Sequence, residues 1–485
     1  MAALSGYVIY SSFAASASGA NRFVSPSGSD TANNCVDSAH PCKTINQAYQ
    51  MAGAGETVEL AAGDYGDQTI NNKSGAAGPN VVIQPAPGAA VALGDINWCG
   101  ADFVTLKGPI TAHGLSTYSC YSSFATNVVI DGVIFDWNYT YQSDGGIVWV
   151  GGNTQNWIVR NSEIKRGYNV KGFYMSSWGG YYPTNITLEY SKVHDWKSDV
   201  GIHTECVFTN KVQGLTLRGN QFYNCVSTGD GLIGNAGTDT LPPRDFLFEN
   251  NVFEMSWNGI ATPGQSVSGH GVSVDGAADY LYGHNVFRYN LFETGMFTGS
   301  GSPPPGATVE FYGNIGEPPP CSQVTTSANN IWRTRTCGPT DTLDNNITDQ
   351  SNFVGPTAHP STTTHPVELT PGNWRPSSAS ATQVDKGALN STCSAFGQLN
   401  AGSSPCWPSV DAAEATRFSG AAPDLGPYEY TGSKPGDVNH DGKVGVVDLS
   451  VVLSNYGKST TTGDCSGDGK VTVIDLSIVL NNYGK

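Results

Sequence analysis

"VVIDGVIF" (128–135), "WIVRNSEI" (157–164), "ITLEYSKV" (186–193), "LTLRGNQF" (215–222) and "FLFENNVF" (246–253) are five copies of one phrase. Their third residues are Ile130, Val159, Leu188, Leu217 and Phe248, spaced by 29, 29, 29 and 31. Further copies centre on Phe287 and Phe311, and earlier ones on Ile83 and Leu106. Each phrase alternates apolar and polar residues, turns, and ends apolar, which is strand, turn and strand rather than helix. A period of this length marks a solenoid, in which one unit stacks on the next.

Three residues after each key position stand Ser162, Ser191, Asn220, Asn251, Asn290 and Asn314. Asn tolerates left-handed backbone and bonds back to its own chain, so it suits a sharp corner. Stacked corners predict a hydrogen-bonded ladder. The expected fold is mainly β, a right-handed parallel β-helix, with the hand following the crossover rule.

The composition agrees. Only 13% of the 485 residues are charged, and there are 59 glycines, which favours strands and turns over long surface helices. A formal net charge of −17 argues against nucleic-acid binding. No apolar run reaches the length of a membrane span. The first 20 residues hold no charged side chain and end in small residues, which reads as a secretion signal. Ten of the 11 cysteines fall into near neighbours: 35/42, 99/120, 206/225, 321/337 and 393/406. Short loops closed by pairs fit disulfides and an oxidising compartment, with Cys465 left over.

In each coil another strand precedes the phrase: "GGIVWV" (145–150), "KGFYMS" (171–176), "VGIHTECV" (200–207), "DGLIGN" (230–235) and "HGVSV" (270–274). Aligning glycines 146, 172, 201, 231 and 271 stacks these strands. Alternation then points Ile202, Thr204 and Cys206 inward, and His203 and Glu205 outward beside Tyr174 and Ser176. Lys171, Asp199, Asp230 and His270 fall at the turn entering this sheet. Eight of the 24 Lys and Arg lie within 160–218, Arg166 and Lys197 among them, a density suited to an anionic chain. Lys165, Lys192 and Arg218 read as solvated faces, and register pairs Asp195 with Arg166.

Across about residues 22–430 the chain resembles the secreted pectin-lyase-like β-helix proteins. The opening "RFVSPSGSD…PCKTINQAYQMAGAGETVELAAGDY" looks like their entry strand, capping helix (about 44–53) and first rung, and "GAAPDLGPYEY" (420–430) like their closing strand. The resemblance implies that the outward face carrying Tyr174 is a polysaccharide groove, with Tyr174, Arg166 and Lys197 as substrate contacts.

The last 50 residues duplicate one loop and helix: "GDVNHDGKVGVVDLSVVLSNYGK" from 436 and "GDCSGDGKVTVIDLSIVLNNYGK" from 463. Asp437, Asn439, Asp441 and Asp448 take positions 1, 3, 5 and 12 of the first loop, with Gly442 at 6. Asp464, Ser466, Asp468 and Asp475 do so in the second, with Gly469 at 6. Alternate oxygen donors around a glycine turn are what calcium requires. The tandem resembles a type I dockerin, whose family binds calcium and docks onto cohesin-bearing scaffolds or cell surfaces. Its partner-recognition positions correspond here to Val446–Val447 and Val473–Ile474, which are apolar. The expected organisation is a signal at 1–20, a β-helix at 21–430, a linker "TGSKPG" at 431–436, and a small α-helical dockerin-like module at 437–485.

Three functions fit. A polysaccharide lyase needs a base beside a uronate carboxylate and a cation to neutralise it. Lys171, Lys197 or His203 suits the first role, and Arg166, or calcium held by Asp199, Glu205 or Asp230, the second. An R-x-P-x-x-R run, typical of such lyases, is absent. A glycoside hydrolase is the alternative, because "SGHGVSV" (268–274) resembles the Gly-His-Gly step of polygalacturonases. Asp199 and Asp230 precede it on successive coils. The third is a noncatalytic glycan-binding adhesin.

Overall fold

The computed structural model describes residues 21–142, 145–198, 204–225, 229–235, 243–254, 270–276, 281–293, 302–348, 352–355, 371–378, 381–384, 412, 424–428, 430, 434–439, 443–460, 462–466 and 469–484. The expected signal segment (1–20) and the cysteine pair 393/406 lie outside this set.

The repeat phrase folds as read. Ile83, Leu106, Ile130, Val159, Leu188, Leu217, Phe248, Phe287 and Phe311 stand opposite one another on successive parallel strands. Three sheets run along the coil. In one coil the first strand is Thr154–Arg160, the second Glu163–Lys165 and the third Lys171–Ser176. Each pairs in parallel with its counterparts above and below. The chain is a parallel β-helix, and the apolar positions of all three sheets point into one continuous core. Aromatic columns fill its later coils: Phe222, Phe253 and Phe292 stack at 4.9 and 5.1 Å.

The corner ladder extends further than the sequence suggests. From Val133 to Asn330, each corner amide donates to the side-chain oxygen one coil on: Ser162, Ser191, Asn220, Asn251, Asn290, Asn314, Asn330 and Asp341. One detail differs from the expectation. The left-handed residue is the one before the ladder residue: Asn161, Tyr190, Gly219, Asn250, Tyr289, Gly313 and Asn329 all have φ between 48° and 64°. The ladder side chain itself is spent on its neighbours.

Beside this corner runs a second ladder, of charge. Asp131, Arg160, Glu189, Arg218, Glu249 and Arg288 occupy one register position on six successive coils. Arg160 pairs with Asp131 at 2.9 Å and Arg218 with Glu189 at 3.0 Å; Arg218 and Arg288 both pair with Glu249. Arg218 is therefore no solvated face. Burial would raise the Glu249 carboxyl, but the two guanidiniums outweigh it and hold it below the usual range.

A helix, Ile45–Met51, caps the first coil, burying Ile45, Ala48 and Tyr49. Thr44 is its N-cap, accepting from the Gln47 amide at 3.2 Å. The expected closing strand at 420–430 is not one among its described residues. Instead the Leu425 and Gly426 amides donate to the Gln383 and Gly313 carbonyls, and Leu425 packs into a smaller core. In the tail, helices Val446–Asn455 and Val473–Asn482 pack together over Val444, Val452, Val471 and Val479. Among the described residues no helix is long and apolar enough to cross a membrane.

Candidate functional site

The third sheet presents one outward column along the molecule: Thr69, Asn97, Ser116, Trp149, Tyr174 and Phe208. Their inward neighbours Val148, Phe173 and Val207 are buried, so alternation leaves the three rings outside. Trp149 lies 4.8 Å from Tyr174, which meets Phe208 edge-on at 5.3 Å. The Trp149 indole donates to Ser176 Oγ at 2.6 Å.

Lys171 opens the third strand of its coil and is almost covered. Its Nζ sits 5.0 Å from the Tyr174 ring centre and 5.1 Å from that of Phe208, an amine between two aromatic rings. On the loops entering this sheet, Lys197 Nζ lies 3.8 Å from the Tyr139 ring, and Tyr141 meets Tyr168 edge-on at 5.3 Å. Tyr174 and Lys171 thus share one strand, and Lys197 lies on a loop entering the sheet.

Other expectations change. The strand after Tyr174 enters the sheet at Val207, with Phe173 opposite Val207 and Tyr174 opposite Phe208. The glycine alignment had placed Tyr174 beside His203. Glu205 consequently precedes the strand and is wholly buried, its carbonyl receiving the Gly172 amide at 3.0 Å. It does not face solvent. His203 and Asp199 lie outside the described residues. His270 is opposite Gly229 and Gly231 opposite Val272, so Asp230 is one residue out of step with His270.

The local cations are less available than their number implies. Arg166 forms a two-pronged pair with Asp136 at 2.7 and 2.5 Å, and Lys165 pairs with Glu163 at 3.2 Å. Asp195, which follows His194 as Arg166 follows Lys165 in the paired strands, takes His194 Nδ1 at 2.8 Å and Asn224 Nδ2 at 2.6 Å. His194 Nε2 reaches Glu163 at 2.9 Å, and its ring stacks on Tyr223 at 4.4 Å. Burial opposes charge on this imidazole, but the carboxylates of Asp195 and Glu163 outweigh it and raise its pKa. The His194 bond in turn holds the Glu163 carboxyl down to about 2. A similar pair the sequence reading missed, His113 with Asp95 at 2.7 Å, stacks on Trp137 at 4.1 Å.

In the tail, Asp448 Oδ1 accepts from the Val438 and Asn439 amides and Oδ2 from Gly445. Asp475 repeats this with Ser466 and Thr472. Position 12 is thereby folded over positions 2 and 3 of the first loop and over position 3 of the second. Asp441 and Asp468 lie outside the described residues, and among those described no group of three or more His, Cys, Asp or Glu is placed to hold a metal ion.

Four expected disulfides form: Cys35–Cys42, Cys99–Cys120, Cys206–Cys225 and Cys321–Cys337, with Cys465 free.

Fold and face together define a parallel β-helix with an aromatic outer sheet. No family model and no curated protein matches the chain. Among solved structures it is similar to the crystal structure of pectate lyase Pel9A, at 14% identity over 84% of this chain and 97% of that one, with a TM-score of 0.38. A rhamnogalacturonan lyase matches at 14% identity over 67% and 87%, with a TM-score of 0.32. The catalytic domain of a GH87 alpha-1,3-glucanase in complex with nigerose matches at 11% identity over 62% and 66%, with a TM-score of 0.27.

Proposed function

We propose that the protein is a secreted carbohydrate-active enzyme that holds an acidic polysaccharide along the outer face of the third sheet and cleaves it by β-elimination. The observation that carries this is Lys171, an amine set into the aromatic column at the sheet's edge. In the reaction a base takes the proton on the carbon beside the uronate carboxylate. The electron pair forms the new C–C double bond, and the glycosidic oxygen leaves with the next sugar. Lys171 supplies the amine that takes the proton. Lys197, on the loop entering the same sheet, supplies the cation that neutralises the carboxylate. Arg166 is held by Asp136 and is better suited to positioning the loop.

The test is a panel of acidic and neutral polysaccharides. New absorbance near 235 nm, lost in Lys171→Met, is the expected result. Reducing ends without that absorbance would make it a hydrolase, and neither would favour the noncatalytic adhesin.

For the tail we propose a calcium-loaded dockerin-like module, with Asp437, Asn439, Asp441 and Asp448 holding one ion and Asp464, Ser466, Asp468 and Asp475 the other. Bound calcium would order the two loops and present Val446, Val447, Val473 and Ile474, all more than half exposed, to a cohesin-type partner. The disulfides support export.

A further inference from the structure

We propose that the aromatic corner formed by Tyr118, Tyr121, Trp178 and Tyr181 is a stacking subsite for the apolar faces of uncharged pyranose rings. It rests on the reading of the third sheet as a polysaccharide groove, and it extends that groove to one side.

The corner is built rather than left over. Trp178 and Tyr181 exchange backbone hydrogen bonds of 3.1 and 2.9 Å around Gly179 and Gly180. Both glycines have positive φ, 59° and 83°, which is the tight two-residue hairpin that favours glycine. A Cβ on Gly179 would strike the Tyr121 ring at 2.6 Å, so the turn is fitted to that ring. Tyr118 stands on a short 3-10 turn, Tyr118–Cys120, tied to the coil below by the Cys99–Cys120 disulfide. Its ring stacks on Trp149 at 4.4 Å and meets Trp178 edge-on at 5.2 Å. The corner therefore continues directly into the outward column of the third sheet.

This rigid construction holds large apolar groups in water. Trp178 is 47% exposed, Tyr118 39% and Tyr181 38%. Such a cluster is stabilised when something covers it. The chemistry around it selects the cover. The segments "STYSCYSSFATN" (116–127) and "SSWGGYYPTN" (176–185) hold no charged side chain, in a chain of net charge −17. A charged partner finds no opposite charge on these two segments. The surface offers flat ring faces, edged by tyrosine hydroxyls, serines and an indole N–H. A pyranose is its complement, with C–H bonds on its faces and hydroxyls around its rim. The polysaccharide held in the groove therefore carries neutral or esterified sugars next to the residue that is cleaved.

The test uses the full-length oxidised protein in native gels containing one polymer each: polygalacturonate, its methyl ester, a soluble β-glucan or a galactan. Trp178→Ala, Tyr181→Ala and the double variant alter an exposed turn, and their fold is checked by melting temperature. The expected result is retardation by a neutral or esterified polymer that persists at about 0.5 M salt and weakens about tenfold or more in the double variant. Tyr181→Phe should keep it, because the ring face remains. Retardation equal in wild type and double variant, or abolished by salt, or absent for every polymer, overturns the subsite. Retardation without any turnover keeps the subsite and overturns the lyase reading, so the two failures are distinct.

Discussion

Asn251→Ala tests the corner ladder where it is most enclosed. Asn251 is fully buried. Its Nδ2 donates to Leu217 O at 2.8 Å and to Asn290 Oδ1 at 3.0 Å, while its Oδ1 accepts from Asn220 N and Nδ2, both at 3.0 Å. Truncation removes all four bonds, but their consequences differ. Asn290 Oδ1 keeps the Asn251 backbone amide, and Asn220 Nδ2 keeps Leu188 O. The Asn220 amide loses its acceptor in a place water does not reach. An orphaned buried amide costs about 1–3 kcal/mol and the lost contact to Leu217 about 1 more, so the variant should lose about 2–4 kcal/mol. Asn251→Ser should recover about half of this. Ser191 shows how, since its Oγ accepts the Ser162 amide at 3.1 Å while donating within its own coil at 2.8 Å. Urea unfolding followed by fluorescence of the buried tryptophans reads the shift in midpoint at constant slope. A loss below about 0.5 kcal/mol, or a serine variant no better than alanine, would refute the reasoning.

Glu249→Ala should cost about 3 kcal/mol in the same assay, because Arg288 and Arg218 then lose a shared buried carboxylate; an unchanged midpoint would contradict it. The His194 pair predicts an alkaline loss. Its folded pKa is raised, so its contribution is complete below the unfolded value of 6.5 and disappears as pH rises through the folded one. Melting temperature should fall across that window in the wild type and less in His194→Gln. Thiol titration of the unfolded, unreduced protein should find Cys465 alone; several free groups would count against the pairing. Calorimetry on the full chain should find two calcium ions, one lost in Asp448→Ala and the other in Asp475→Ala. A wild type that takes up none ends that reading.

The first and second sheets were legible because their turn has nearly constant length. Ile130, Val159, Leu188, Leu217 and Phe248 could be aligned by counting, and the register agrees at every step. The third sheet was not, because the loops entering it vary. Four residues separate Arg166 from Lys171, but eleven separate Asp195 from Val207. Glycines cannot set register across such differences, so Glu205 was assigned to the wrong environment. Alternation alone held a usable signal: Trp149, Tyr174 and Phe208 each follow a buried apolar residue, Val148, Phe173 and Val207. Even between glycines 146 and 172 the alignment is one residue out, since Lys171 stands opposite Gly146. The charge ladder was hidden in the same phrase that revealed the fold, in the residue after each key position.

That ladder constrains how such a chain can change length. Its sign alternates from coil to coil, Asp131, Arg160, Glu189, Arg218, Glu249 and Arg288. Excising one coil would bring Arg160 against Arg218, or Glu189 against Glu249, two like charges one strand spacing apart. Excising two restores opposite signs. Duplication obeys the same parity, so this stretch of the coil gains or loses turns in pairs. A strand that slips one coil during folding meets the same repulsion. The alternation thus acts as a check digit, written into the repeat, that rejects odd miscounts.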